Sequence, residues 1–425
     1  MTSSPFSPLR LRNLTLPNRF IKAATHDGAS LTEMAHTYVR LAQHGVGLVT
    51  VAYVSIDAVD KTFDNQHHIC EANVEEWSAF VRRVRAAGTH LSAQLHHPGL
   101  FCMSSDGVPR GPSLFWLPSK FAWPRILSLD DLEELKAKFV SAAELCVRAG
   151  FSCIELQCAH GYLLSQFLTP IINRRKDGYG GDVMGRARFP CEIVEAIRAA
   201  HPSVPILVKL NGDDGFVGGL RLSEAVVVAR LLTAAGADAI IPSYGYTSLN
   251  GFGMLRGSVP LQQMADAMPK GSKTLTRVLG RFLVPTIPFE SLFLRDIATA
   301  FVKALEGTSG SVIYVGGVDS LSAAQEVLSI GCVGMQLARP LIREPWFVEK
   351  LKKAFEDAAT DDQHKRGAAS KSLCIQCNRC TLAAIDPVKF PAGCPLLSLP
   401  EESPRGARRE GDHPGVLLDD IEDIQ

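Results

Sequence analysis

Eight short apolar runs, each followed by a longer helix-like stretch, constrain this chain more than any other feature. They are FIKAAT (20–25), GLVTVAYV (47–54), HLSAQL (90–95), CIELQ (153–157), PILVKL (205–210), DAIIP (238–242), VIYVG (312–316) and VGMQLA (333–338). Near-continuous apolar strands alternating with helices imply a parallel sheet buried on both faces. Eight such units over about 350 residues predict an α/β chain closed into a (β/α)8 TIM barrel. No G-x-G-x-x-G follows a strand, which removes the usual fingerprint of an open doubly wound sheet. Among the expected helices are DDLEELKAKFVSAAELCVRAG, started by Asp130 or Asp131 and ended by Gly150, and FPCEIVEAIRAA.

The pattern divides the chain into a barrel over 1–370, a cysteine-containing C-terminal extension over 371–400, and an acidic, disordered tail over 401–425. More than 50 residues rich in Gly, Pro, Met and Leu separate the sixth strand from the helix RDIATAF, and they read as a substrate-facing excursion from the barrel top. Hydrophobic residues make up 46% of the chain, and 44 Lys+Arg balance 44 Asp+Glu. That composition excludes disorder and supplies no basic surplus for a nucleic-acid partner. No apolar run reaches the roughly 18 residues of a membrane span, and residues 1–20 contain no apolar core of a secretory leader, so a cytoplasmic protein is expected. Eleven cysteines are too dilute for a disulfide scaffold. Self-association through exposed barrel helices is left open.

In this fold chemistry gathers where strands end. His26 and Asp27 follow the first strand, Gln94, His96 and His97 close the third, and Gln157, His160 and Tyr162 follow the fourth. Lys209 ends the fifth, Gly316 and Gly317 follow the seventh, and Arg339 follows the eighth. A lone histidine after a strand is usually a hydrogen-bonded loop residue; the convergence of these groups on one rim is what points to a site. Glycine lets a backbone approach a phosphate closely and arginine offers a bidentate fork, so the last two units predict a phosphate site.

The segment GFSCIELQCAHGYLLSQFLTPIINRRKDGYGGDVMGRARFPCEIVEAIRAA resembles the signature stretch of the old yellow enzyme family, flavin-dependent oxidoreductases on a (β/α)8 barrel. LTLPNRFIKAAT, AQLHHPG, VGGVDSLSAAQEVLSIG and MQLARPLIREPW extend the resemblance over residues 5 to about 350. It implies FMN as cofactor and NAD(P)H as reductant. Ala24, Thr25 and His26 would pass beside the flavin ring, Gln94 would bond its pyrimidine side, and Lys209 would stand where negative charge builds up on reduction. Gly316, Gly317, Ala338 and Arg339 would hold the phosphate. Hydride from the flavin N5 and a proton from Tyr162 would reduce an activated alkene, a small-molecule substrate. His160 and Gln157 occupy the positions that grip the substrate carbonyl, with His26 beside them. Gln157 stands where the family usually has histidine, and a glutamine amide cannot become a charged donor. His26 resembles the 2,4-dienoyl-CoA reductase branch. Tyr53 is larger than the usual residue near the flavin, and Leu100 replaces an arginine.

Cys374, Cys377, Cys380 and Cys394 form C-x2-C-x2-C-x13-C. Three closely spaced thiolates and a fourth returning on a loop can ligate a [4Fe-4S] cluster, and the motif resembles that of the dienoyl-CoA and trimethylamine dehydrogenase branch. The same four thiolates would also suit zinc, and four reduced thiols without metal are the remaining alternative. An iron-sulfur flavoprotein dehydrogenase and a flavin-binding scaffold without turnover therefore stand beside the ene-reductase reading.

Overall fold

The computed structural model describes residues 4–26, 28–115, 123–267, 280, 284, 286–359, 370–384, 386, 388–390 and 392–397. Asp27 and the acidic tail over 401–425 lie outside the described residues.

All eight expected strands form: β1 (Phe20–Lys22), β2 (Leu48–Ser55), β3 (His90–His96), β4 (Cys153–Cys158), β5 (Ile206–Asp213), β6 (Ala239–Tyr244), β7 (Ser311–Val315) and β8 (Gly334–Leu337). They pair in parallel in chain order and close through β8 on β1, with Met335 opposite Phe20 and Leu337 opposite Lys22. Eight helices follow them: α1 (Leu31–Gln43), α2 (Val74–Ala86), α3 (Leu129–Ala149), α4 (Val183–Ala200), α5 (Leu222–Ala234), α6 (Arg295–Leu305), α7 (Leu321–Ser329) and α8 (Phe347–Ala359). The strands are buried almost throughout because helices cover their outer face and side chains fill the interior.

A hairpin of Leu9–Leu11 against Leu14–Leu16 packs Leu9, Leu11 and Leu16 on Ile21, Leu48, Cys153, Leu207 and Ala239, near the beginnings of the barrel strands. This apolar plug closes the N-terminal end and leaves the opposite rim for polar groups. No helix among the described residues is long and apolar enough to cross a membrane.

Two helix starts differ from expectation. Helix α3 is capped by Ser128, whose side chain accepts from the Asp131 backbone N–H while the Asp131 carboxylate accepts from the Ser128 N–H, so Asp131, the third residue of the helix, is the partner in a capping box and not the cap. Its C-cap is Gly150 at φ 94°, as expected. Helix α4 begins six residues before Phe189, capped by the Asp182 side chain, and carries Pro190 within it. Arg186 supports this segment by bonding the carbonyls of Leu168 and Gly181 and the carboxylate of Glu224.

Candidate functional site

A cleft of about 200 Å³ opens at the C-terminal ends of the strands. It brings together Ala24, Thr25, His26, His160, Lys209, Gly316, Gly317, Ala338 and Arg339, nine of the residues singled out from sequence. The excursion after β6 contributes Met254, Leu255, Phe289 and Phe293, so it does face the cleft.

At the centre lies a carboxylate that strand-end reasoning missed. Glu155, fully buried on β4, accepts from Lys209 Nζ at 2.9 Å and from Gln94 Nε2 at 2.5 Å on one oxygen, and from Gln336 Nε2 at 2.6 Å on the other. An unpaired ion would be costly here, and the pair with Lys209 meets that cost with hydrogen bonds. Because a carboxylate only accepts, it fixes both amides with their NH2 groups toward itself. Gln336 Oε1 is thereby left buried without a hydrogen-bond partner among the described residues, an acceptor on the wall of the cleft. The sequence signal was available: Glu155 and Gln157 alternate on one face of an otherwise apolar strand, the face that points inward.

His160 sits at φ 63°, a left-handed conformation uncommon outside glycine, asparagine and aspartate. Its Nε2 lies 2.6 Å from Ser243 Oγ and its Nδ1 lies 3.3 Å from Gln157 Nε2. Burial, helped by the nearby Lys209 cation, pushes its pKa down to about 3, so it is a neutral hydrogen-bonding group near neutral pH. Gln157 Oε1 is buried and unpartnered among the described residues.

Tyr162 is 5% exposed and stands outside the main cleft lining, in an aromatic cluster with Tyr53, His96 and Phe101. The two phenol oxygens of Tyr162 and Tyr53 are 3.4 Å apart. Burial raises the Tyr162 pKa, while hydrogen bonds from Tyr53 and Thr247 act in the opposite direction. Tyr53 is raised well above the usual range by burial and by Tyr162. Thr62 Oγ1 lies 2.9 Å from His96 Nε2, and burial holds His96 well below its ordinary value. His26 stacks on Phe63 and lies 5.3 Å from the Tyr53 ring. Leu100 packs with Ile172 and Tyr246, an apolar cluster away from the cleft.

At the β7–β8 side, Gly316 and Gly317 have φ of 114° and 79°. A Cβ on Gly317 would come within 2.9 Å of the Leu292 nitrogen and the Glu290 carbonyl, so the packing of the 290–294 segment also demands glycine there. Arg339 Nη1 donates to Asn378 Oδ1 at 2.7 Å and to the Arg256 carbonyl at 2.8 Å. The cation therefore remains on the cleft wall but is anchored by the C-terminal extension.

Cys374, Cys377, Cys380 and Cys394 line a common cavity of about 20 Å³ with Arg339 and Arg343, and Cys374 and Cys380 also reach the main cleft. Burial raises the pKa of Cys374 and pushes Cys380 up to about 12, with Arg339 opposing both. Among the described residues, no three His, Cys, Asp or Glu side chains are grouped so as to hold a single metal ion. The extension is fixed to the barrel by buried Glu344, which accepts from Ser372 Oγ, the Leu373 N–H and Lys350 Nζ.

The donor set suits FMN: a cation and amides inside the barrel, an unpartnered acceptor on the wall, and two left-handed glycines beside an arginine at the corner where barrels bind phosphate.

The sequence profile of the NADH:flavin oxidoreductase / NADH oxidase family matches residues 4–247. A 4,4'-dithiodibutanoate disulfide reductase from Rhodococcus erythropolis is 32% identical over 388 residues, covering 89% of this chain and 92% of that protein. An NADPH dehydrogenase of Bacillus pumilus is 29% identical over 253 residues, 58% of this chain and 74% of its own. Among solved structures, morphinone reductase superposes with a TM-score of 0.64 at 22% identity, over 83% of this chain and 90% of that one, a likeness of fold.

Proposed function

Since this chain belongs to the NADH:flavin oxidoreductase / NADH oxidase family, and is thus an FMN-dependent NAD(P)H oxidoreductase of the old yellow enzyme type, we propose that it reduces activated C=C bonds of small molecules. The observation that carries this reading is the convergence of His26, His160, Lys209, Gly316, Gly317 and Arg339 on one cleft, with the buried pair Tyr162 and Tyr53 close by. FMN, when bound, supplies two-electron transfer from NAD(P)H to the substrate. Gln94, Gln336 and Lys209 would hold the ring, the amides oriented by Glu155. His160 and Gln157 would grip the polarising oxygen of the substrate as neutral donors. Tyr162 would deliver the proton to the carbon beside the activating group, a step in which its O–H breaks and a C–H forms. Tyr53, whose hydroxyl oxygen accepts from Tyr162 in this structure, would turn its O–H to donate to the phenolate left behind.

The four cysteines favour a second reading, in which Cys374, Cys377, Cys380 and Cys394 would hold a [4Fe-4S] cluster that would supply one-electron transfer beside the cleft. Their spacing and shared cavity against the cleft support it, while a single ion such as zinc, the competing occupant, would need the thiols to draw closer together than they stand.

Anaerobic reduction of the FMN-loaded protein by NAD(P)H, followed by addition of an enone or a small aliphatic disulfide, tests both. Bleaching of the flavin band by NAD(P)H and its return with the enone are expected. Return with the disulfide alone would transfer the chemistry of the Rhodococcus relative to this chain. A bound flavin that NAD(P)H never bleaches would point to a scaffold without turnover. Iron analysis and a brown absorbance separate the cluster from zinc.

A further inference from the structure

Arg339 belongs to two cavities at once, lining the main cleft beside Gly316, Gly317 and Ala338 and the small cavity among the cysteines. Its partner Asn378 directly follows Cys377, is fully buried and has φ 57°. While Asn378 Oδ1 accepts from Arg339, its Nδ2 donates to the carbonyls of Arg256 and Ser258 at 3.1 and 3.0 Å. One amide therefore ties together the segment after β6, the residue after β8 and the cysteine loop. The contact is close: the Ser258 N–H donates to the Gln376 carbonyl at 3.0 Å, and a Cβ on Gly257 would lie 2.3 Å from that same oxygen. The Phe289 ring sits 5.8 Å from the guanidinium.

An arginine that is mobile before it meets a ligand loses rotamer freedom on binding, and one already immobilised does not. We propose that Asn378 is a positioning residue for the cofactor: by holding Arg339 in place, it makes the cysteine extension part of the FMN phosphate site. This rests on the reading that Arg339 grips the phosphate. Cofactor affinity then depends on the extension being seated on the rim, and by linkage bound FMN steadies the cysteine loop.

The test uses the full-length protein freed of flavin, titrated with FMN and, separately, with riboflavin, which lacks the phosphate; quenching of flavin fluorescence reports binding. Asn378→Gly is the informative variant because glycine accepts the left-handed backbone and only the amide is lost. It is expected to weaken FMN about tenfold, the loss of roughly one charge-assisted contact, while riboflavin binds within about twofold of wild type and so reports an intact barrel. Arg339→Ala, measured alongside, is expected to remove the preference for FMN over riboflavin. If Arg339→Ala removes that preference and Asn378→Gly keeps it, the positioning role is refuted and the phosphate reading stands. If Asn378→Gly weakens both flavins equally, its role is general folding, which also overturns the proposal. If Arg339→Ala keeps the preference, the phosphate reading fails and the proposal falls with it.

Discussion

On one side of the cleft, Glu155 gathers Lys209, Gln94 and Gln336 from strands β5, β3 and β8 inside the barrel; on the other, Arg339 is held by groups 39 and 83 positions away in the chain, both in loops. The first network forms whenever the barrel closes, because β3 and β5 flank β4 and closure brings Gln336 of β8 across the interior to Glu155. The second exists only when the segment after β6 and the cysteine extension dock on the rim. Damage to the first should therefore appear as lost stability or chemistry, and damage to the second as lost affinity.

The largest effect is expected at Glu155. Glu155→Gln keeps the shape but leaves Lys209 buried without a counter-charge, and it should lower the unfolding free energy of the flavin-free protein by about 3–5 kcal/mol in urea denaturation. A loss below about 1 kcal/mol would mean that the ion pair is not what holds the interior.

Tyr162→Phe should slow alkene reduction by about 100-fold or more while NAD(P)H reduces the flavin at close to the wild-type rate, measured as separate half-reactions by stopped flow. Equal loss of both half-reactions would place Tyr162 in flavin binding. Tyr53→Phe keeps the ring and removes the hydroxyl that supports Tyr162, so the alkene half-reaction should slow about fivefold, the worth of one hydrogen bond of about 1 kcal/mol. An unchanged rate would reduce Tyr53 to packing.

A further effect concerns acid stability. Unfolded, the His160 imidazole takes up a proton near pH 6.5; folded, only near about 3. Between those values the unfolded chain binds more protons, so this residue makes the fold less stable as pH falls from 6.5 toward 3. His160→Asn, which also tolerates the positive φ, should narrow the difference between urea midpoints at pH 7 and pH 5. An undiminished difference would assign the acid sensitivity to other groups, such as His96.

The contrast between the two networks also explains what the sequence made legible. Eight strands were readable because burial on both faces leaves little but apolar residues in each. His160, just past a strand end, and Lys209, a lone cation in an apolar strand expected to end at 210 but running to Asp213, were readable as polar groups near one rim. Glu155 escaped because it sits within a strand and looks like part of it until the inward face is considered. Asn378 and the Arg256 carbonyl escaped for a different reason: no local pattern encodes contacts between loops so distant in the chain. The cap of α3 was misread because Asp130 and Asp131 stand out as acids, whereas the residue with the extended backbone that a cap requires is Ser128.

The most direct test of the central claim is one anaerobic absorbance titration of the purified protein with NAD(P)H and then an enone. The account predicts a flavin band that bleaches with the nicotinamide and returns, one equivalent for one equivalent, with the enone. A protein that takes up no flavin, or a flavin that NAD(P)H leaves oxidised, would contradict it.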